Sequence, residues 1–180
     1  MRHTFKAEQW LPYPVATVFA FFANPDNLPR LMPAWQRARI ETASFAPPPE
    51  RPASAPVLRP GMLAAGAGTT MTISFLPVPF SPFRINWNAV ISEFAWDDHF
   101  CDTQESGPFA YWHHCHRVES KTASDTGMSG TALHDVVQYE LPMGPLGEIA
   151  NELFVERQMK SIFAFRQKRT IELLGALKTS

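Results

Sequence analysis

Phe100 to Val118 reads FCDTQESGPFAYWHHCHRV, and its two halves mirror each other about Pro108. Gly107-Pro108 is a turn signal, and the flanks are rich in strand-forming residues. Side chains on a strand alternate between its faces. Phe100, Asp102 and Gln104 therefore share one face of the first strand, and Trp112, His114 and His116 share one face of the second. A turn symmetric about Pro108 sets Asp102 opposite His114 and Gln104 opposite Trp112. An Asp, a Gln, a Trp and two His on one surface point either to water or into a polar-lined cavity. Cys101 and Cys115 face each other on the outer side of the same hairpin, with His113 on that side too.

The 180 residues suffice for one domain with a real core. Charged residues are 18% of the chain, below the usual quarter or so, while Phe numbers 14 and Trp 5. Such a chain has apolar surface to line an interior. A net charge of -1 offers no basic stripe for nucleic acid. Two cysteines do not make a secreted disulfide framework, so they are expected to be reduced thiols in a cytoplasmic protein. The first ten residues, MRHTFKAEQW, hold no apolar leader core, and no run reaches the length of a membrane span.

Working outward, His3 to Leu11 reads as a first strand ending at Pro12-Tyr13-Pro14. Pro14 suits the first turn of a helix whose apolar face is Val15, Val18, Phe19 and Phe22. Asn24 is placed to cap a second short helix ending near Leu31. A strand is expected over Ala34 to Thr42. The stretch at about 46–68, APPPERPASAPVLRPGMLAAGAG, is too rich in Pro, Ala and Gly for a regular ladder. It is a long loop, either a tolerated insertion or a lid. Thr69 to Leu76 is a strand, and Arg84 to Phe94 another, with Ile85, Trp87, Ala89 and Ile91 on one face. After the hairpin, Thr131 to Leu141 is the last strand: Leu133, Asp135, Val137, Tyr139 and Leu141 share a face. From Pro145 a helix is expected to about Leu174, with Gly175 as its stop. Its stripe is Leu146, Ile149, Ala150, Leu153, Phe154, Ile162, Phe163, Leu173 and Leu174. Arg157, Lys160 and Arg166 read as a solvated basic face. The order is an α+β layout, with a curled strand meander whose concave face the last helix fills.

Three passages carry a resemblance: PYPVATVFAFFANPDNLPRLMP at 12–33, the hairpin with Asp102, Gln104, Gly107-Pro108, Trp112, His114 and His116, and Thr131 to Pro142 running into the last helix. With them the chain resembles the START-like (SRPBCC) or helix-grip superfamily. It is most similar to the bacterial group labelled polyketide cyclase/dehydrase or ligand-binding SRPBCC domain. The resemblance spans nearly the whole chain and implies one START-like domain over 1–180. Its fold would be a seven-stranded antiparallel sheet wrapped around the C-terminal helix, with two short helices after the first strand. It also implies a deep, mostly apolar cavity for bulky hydrophobic molecules. The Pro-rich loop looks longer than usual for the group.

The expected ligand contacts are Trp87, Asp102, Gln104, Trp112, His114, His116, Asp135, Tyr139, Phe154 and Phe163. The polar members read in four ways. They form a satisfied structural network, with Asp102 and Asp135 accepting from His114 and His116. They orient a ligand hydroxyl or carbonyl. They move protons, with His114 beside Asp102 or Asp135 as the candidate acid/base pair. Or His114 and His116 with a carboxylate hold zinc. Neither a metal nor a cofactor is assigned. The reading preferred is a cytoplasmic binder of a small or medium hydrophobic ligand of lipid, polyketide or aromatic type. Its competitors are a cofactor-free cyclase/dehydratase and a protein-partner module with a filled cavity. A monomer or a homodimer is expected, with no nucleic-acid partner.

Overall fold

The computed structural model describes residues 1–52 and 64–178. Seven antiparallel strands are β1 (Arg2–Leu11), β2 (Arg39–Ser44), β3 (Thr70–Phe75), β4 (Ile85–Ala95), β5 (His99–Ser106), β6 (Tyr111–Thr122) and β7 (Ser129–Glu140). They form one sheet in the order β1-β7-β6-β5-β4-β3-β2. From β2 to β7 every neighbour in sequence is a neighbour in space, which is what short connections favour. β1 closes the far edge against β7, so β1 and β2 lie at opposite edges. The chain crosses between them through α1 (Val15–Ala23) and α2 (Leu28–Leu31).

That crossing explains α1. Val18 to Ala23 are all buried, so the helix is enclosed on every side rather than along the single face its spacing suggested. Pro14 caps it from outside, its carbonyl accepting from Thr17 and Val18. Asn24 then caps a 3-10 turn (Pro25–Asn27) by accepting from the Asp26 N–H at 3.0 Å. The strand expected from Ala34 begins only at Arg39. Ala34–Gln36 winds into a 3-10 turn, and Arg37 follows in the left-handed region at φ 46°.

The hairpin pairs in the register that symmetry about Pro108 requires: Phe100 faces His116, Cys101 faces Cys115, and Asp102 faces His114. One expectation fails here. Cys101 and Cys115 are joined in a disulfide rather than held as reduced thiols. The reason is the register itself: directly opposed residues bring their Cα atoms to 4.1 Å, within reach of a bridge. Gln104 folds over the turn, donating to the Phe109 carbonyl at 2.7 Å, and its amide lies where a Cβ on Gly107 would sit.

The C-terminal segment is α3 (Pro145–Ala150), a π-helical turn (Asn151–Val155) and α4 (Glu156–Lys178). Gly175 does not stop it. The helix passes through, because Leu173 and Leu174 still pack in the core and one helical Gly costs only about 1 kcal/mol. The π turn shifts the helical phase, as one extra residue per turn must. The buried stripe is consequently Met159, Phe163, Thr170, Leu173 and Leu174, while Ile149, Leu153 and Phe154 are exposed. The side chain of Leu146 and residues 53–63 of the Pro-rich loop lie outside the described part, and with them the lid question. Among the described residues no helix is long and apolar enough to cross a membrane.

Candidate functional site

Sheet and helix do not close completely on each other. A cavity of about 310 Å³ lies between them. Its walls come from α1 and α2 (Phe22, Leu28, Leu31), from β3 and β4 (Met71, Ile73, Ile85, Trp87, Ala89, Ile91), from the hairpin, and from α4 (Met159, Ile162, Phe163). Period-two alternation explains the sheet contribution: Ile85, Trp87, Ala89 and Ile91 all project to the concave side.

The polar end of the cavity is a chain of hydrogen bonds and one charge contact across β5, β6 and β7. The Trp112 Nε1–H donates to Asp102 Oδ2 at 3.0 Å. His114 stands between two carboxylates, with Nδ1 3.6 Å from Asp102 Oδ1 and Nε2 3.0 Å from Asp135 Oδ1. His116 Nδ1 reaches the same Asp135 oxygen at 2.6 Å. An Arg166 amino group lies 3.4 Å from His116 Nε2. Arg166 also stacks over Phe22, 5.1 Å from the ring centroid, a cation–π contact.

Charge follows from these neighbours. Burial pushes the Asp135 carboxyl up, but Arg166, His116 and the two imidazole hydrogen bonds outweigh it and hold it well below the ordinary range. Burial, with His114 alongside, pushes His116 down to about 3. His116 is therefore neutral near pH 7: its Nδ1–H donates to Asp135, and Nε2 accepts from Arg166. Burial raises Asp102, against the opposing pull of His114 and Trp112. The donor atoms of Asp102, His114 and His116 lie within 4.8 Å of one another. Three of the four ring nitrogens are already committed to Asp135 or Arg166, and the guanidinium repels a cation, so the geometry does not favour zinc there.

Of the expected contacts, Trp87, Asp102, Trp112, His114, His116 and Phe163 line the cavity. Asp135 lies behind His114 and His116 as their shared acceptor. Tyr139 is buried behind Trp112 and donates to Asn151 Oδ1 at 2.8 Å. Gln104 serves the turn. Phe154 faces outward because of the π turn, and Val155 takes the inward position.

Residues 11–163 match the family described as "Polyketide cyclase / dehydrase and lipid transport". The chain belongs to this family. Among solved structures, this member of the family resembles TTHA0849 from Thermus thermophilus, with a TM-score of 0.63 at 15% identity, over 97% of this chain and 99% of that one. It also resembles Ara h 8.0201, with a TM-score of 0.55 at 17% identity, over 96% and 99% of the two chains. These likenesses establish the helix-grip fold. Among curated proteins none matches the chain.

Two residues of this family member escaped the reading of its sequence. Arg166 lines the cavity rather than a solvated face. Its spacing carried the signal, because it stands three residues after Phe163 and four before Thr170, on the buried stripe. Gln36 is 2% exposed and also lines the cavity. No periodicity announced it, because it sits in an irregular turn.

Proposed function

We propose that the protein binds a small or medium apolar molecule of lipid, polyketide or aromatic type that carries one hydrogen-bond acceptor such as a carbonyl or carboxylate. One observation carries this reading. Trp87 Nε1 and Arg166 Nε are buried at the cavity wall with no hydrogen-bond partner among the described residues. Each unmatched donor costs about 1–3 kcal/mol, which a ligand acceptor recovers. Gln36 Oε1, likewise buried and unmatched, suits a ligand hydroxyl. The remaining wall is apolar, and a volume of about 310 Å³ falls at the small end of ligand sites. An open cavity of that size counts against the partner-module reading.

Native mass spectrometry of freshly purified protein, followed by denaturing extraction, tests the proposal. The expected result is a co-purifying apolar molecule with a carbonyl or carboxylate group. For an apo preparation, 8-anilinonaphthalene-1-sulfonate is the probe: saturable binding at one site, weakened by Trp87→Phe, is expected. An apo mass together with no saturable probe binding would overturn it.

A second reading has its own observation. Asp102 lines the cavity with its carboxyl raised by burial, 3.6 Å from His114. A carboxyl group beside an imidazole is a proton-transfer pair suited to cofactor-free cyclisation or dehydration. Turnover of a polyketide-like substrate that vanishes in Asp102→Asn while product affinity survives would favour it over carriage.

A further inference from the structure

The convex face of the hairpin holds a second cluster that the cavity does not use. Cys101, Cys115 and His113 bring their donor atoms within 4.8 Å of one another. Glu93 pairs across β4–β5 with Cys101, which pairs across β5–β6 with Cys115, so the three form one lateral row. His113 Nε2 lies 3.6 Å from Cys115 Sγ and 3.8 Å from Glu93 Oε1. The far oxygen of Glu93 is 3.5 Å from His99 Nε2.

We propose that, with the disulfide reduced, Cys101, Cys115, His113 and Glu93 form a tetrahedral site for zinc or a similar thiophilic divalent cation, and that oxidation to the disulfide ejects the metal. The distances fit the chemistry. Metal–sulfur bonds of about 2.3 Å and metal–nitrogen bonds of about 2.0–2.1 Å set the nitrogen and sulfur of a tetrahedral site about 3.6 Å apart. That is the separation of His113 Nε2 from Cys115 Sγ. The two sulfurs must part to about 3.8 Å, a change that side-chain rotation on directly opposed residues supplies. Two thiolates and an imidazole are the donor set zinc prefers, and Glu93 completes four. His99 is placed to orient that carboxylate from behind. Entry is open, because the Glu93 side chain is 54% exposed and His113 25%. The opposite face of the same strands carries the Asp135 network, so the two sites share backbone but no ligand.

The redox step balances. A dithiol reductant gives two electrons and two protons to the Cys101–Cys115 bond and becomes a cyclic disulfide. Metal binding then releases the two thiol protons. A peroxide or disulfide oxidant reverses the sequence, taking two electrons from the thiolates and freeing the cation.

The test is cobalt(II) titration of the full chain, with and without a phosphine reductant under anaerobic conditions. Thiol counting and circular dichroism run alongside. The expected result is one equivalent of cobalt bound only to reduced, folded protein, with thiolate charge-transfer absorption and the visible bands of a tetrahedral ion. Zinc should displace it, and hydrogen peroxide should release it as the thiol count falls by two. His113→Ala, its fold checked by circular dichroism, should weaken binding at least tenfold. Cys115→Ser should abolish the charge-transfer band. No tetrahedral spectrum in folded protein with two free thiols, loss of fold on reduction, or unchanged affinity in His113→Ala would each overturn the proposal.

Discussion

His116 gives the inner network a measurable electrostatic signature. Folded, its imidazole is held down to about 3 from an ordinary 6.5, because burial and His114 disfavour the cation. Unfolded, it titrates at the ordinary value. Between those values the unfolded chain binds one proton more than the folded chain at this position. Stability therefore rises with pH across the window, is complete above about 6.5, and is lost as pH falls toward about 3. One proton is worth about 1.4 kcal/mol per pH unit, so between about pH 6.5 and about pH 4.5 the loss from this group is about 2–3 kcal/mol. His116→Gln removes the titration but keeps a donor for Asp135 and an acceptor for Arg166. Urea unfolding of both proteins at several pH values down to about 4.5 stays above the range in which the Asp135 contribution is lost, so that contribution is nearly constant across the series. Wild type should be more stable near neutrality, and the gap should narrow by about 2–3 kcal/mol on acidification. Two parallel stability curves would refute a neutral, buried His116 and with it the donor–acceptor order assigned from Asp135 to Arg166.

Asp102 has the opposite sign. Its folded pKa is raised, so its contribution is best at low pH and worsens as pH climbs above the ordinary carboxylate value. Asp102→Asn should gain stability relative to wild type as pH rises from about 4 to about 7, measured by the same urea transitions. Tyr139→Phe removes the buried donor to Asn151 and should cost about 1–2 kcal/mol, readable as a lower urea midpoint at unchanged slope. Trp87→Phe keeps an aromatic ring at the cavity wall but removes the five-membered half of the indole together with its N–H. It should weaken binding of the co-purifying ligand by about threefold or more in calorimetric titration, since one neutral hydrogen bond alone contributes about 0.5–1.5 kcal/mol. Unchanged affinity would separate that donor from ligand recognition.

The α+β order of strands and helices was legible because period-two alternation and turn chemistry agree along most of the chain, while the seven-stranded wrap around the last helix is what the family resemblance implies. The hairpin register followed from one Gly-Pro turn, and the inward row of β4 followed from alternation alone. The errors arise where those periodicities break. The π turn at Asn151–Val155 offsets the helix, so extending one 3.6-residue stripe from Phe163 back to Phe154 placed Phe154 inside when it lies outside. Gln36 sits in a 3-10 turn with no period to read. Arg166 was read by charge as a surface residue, although its spacing set it on the buried face. The cysteines were the reverse case. Their opposition was correctly placed, but composition, which bears on compartment rather than on distance, outweighed a register that already brought them together.

The charges at the cavity's polar end also explain why acceptors are the ligand chemistry to expect. Asp135 is ionised and Arg166 is cationic, so the pair is neutral as a unit with His116 between them. Both oxygens of Asp102 face partners within the hairpin, one receiving the Trp112 N–H and the other turned toward His114. Asp102 Oδ2 and Asp135 Oδ1 thus accept from protein donors, and among the residues that line the cavity the unmatched buried atoms are mostly N–H: the Trp87 indole and the Arg166 Nε, against a single acceptor in Gln36. A ligand offering only donors would leave both N–H groups buried and unpaired. One with an acceptor at the Trp87–Arg166 end and apolar bulk toward Met71, Ile73 and Ile91 satisfies them while covering the walls. Folds of this kind host many functions, so the selection among ligands rests on these few unmatched atoms rather than on the architecture that holds them.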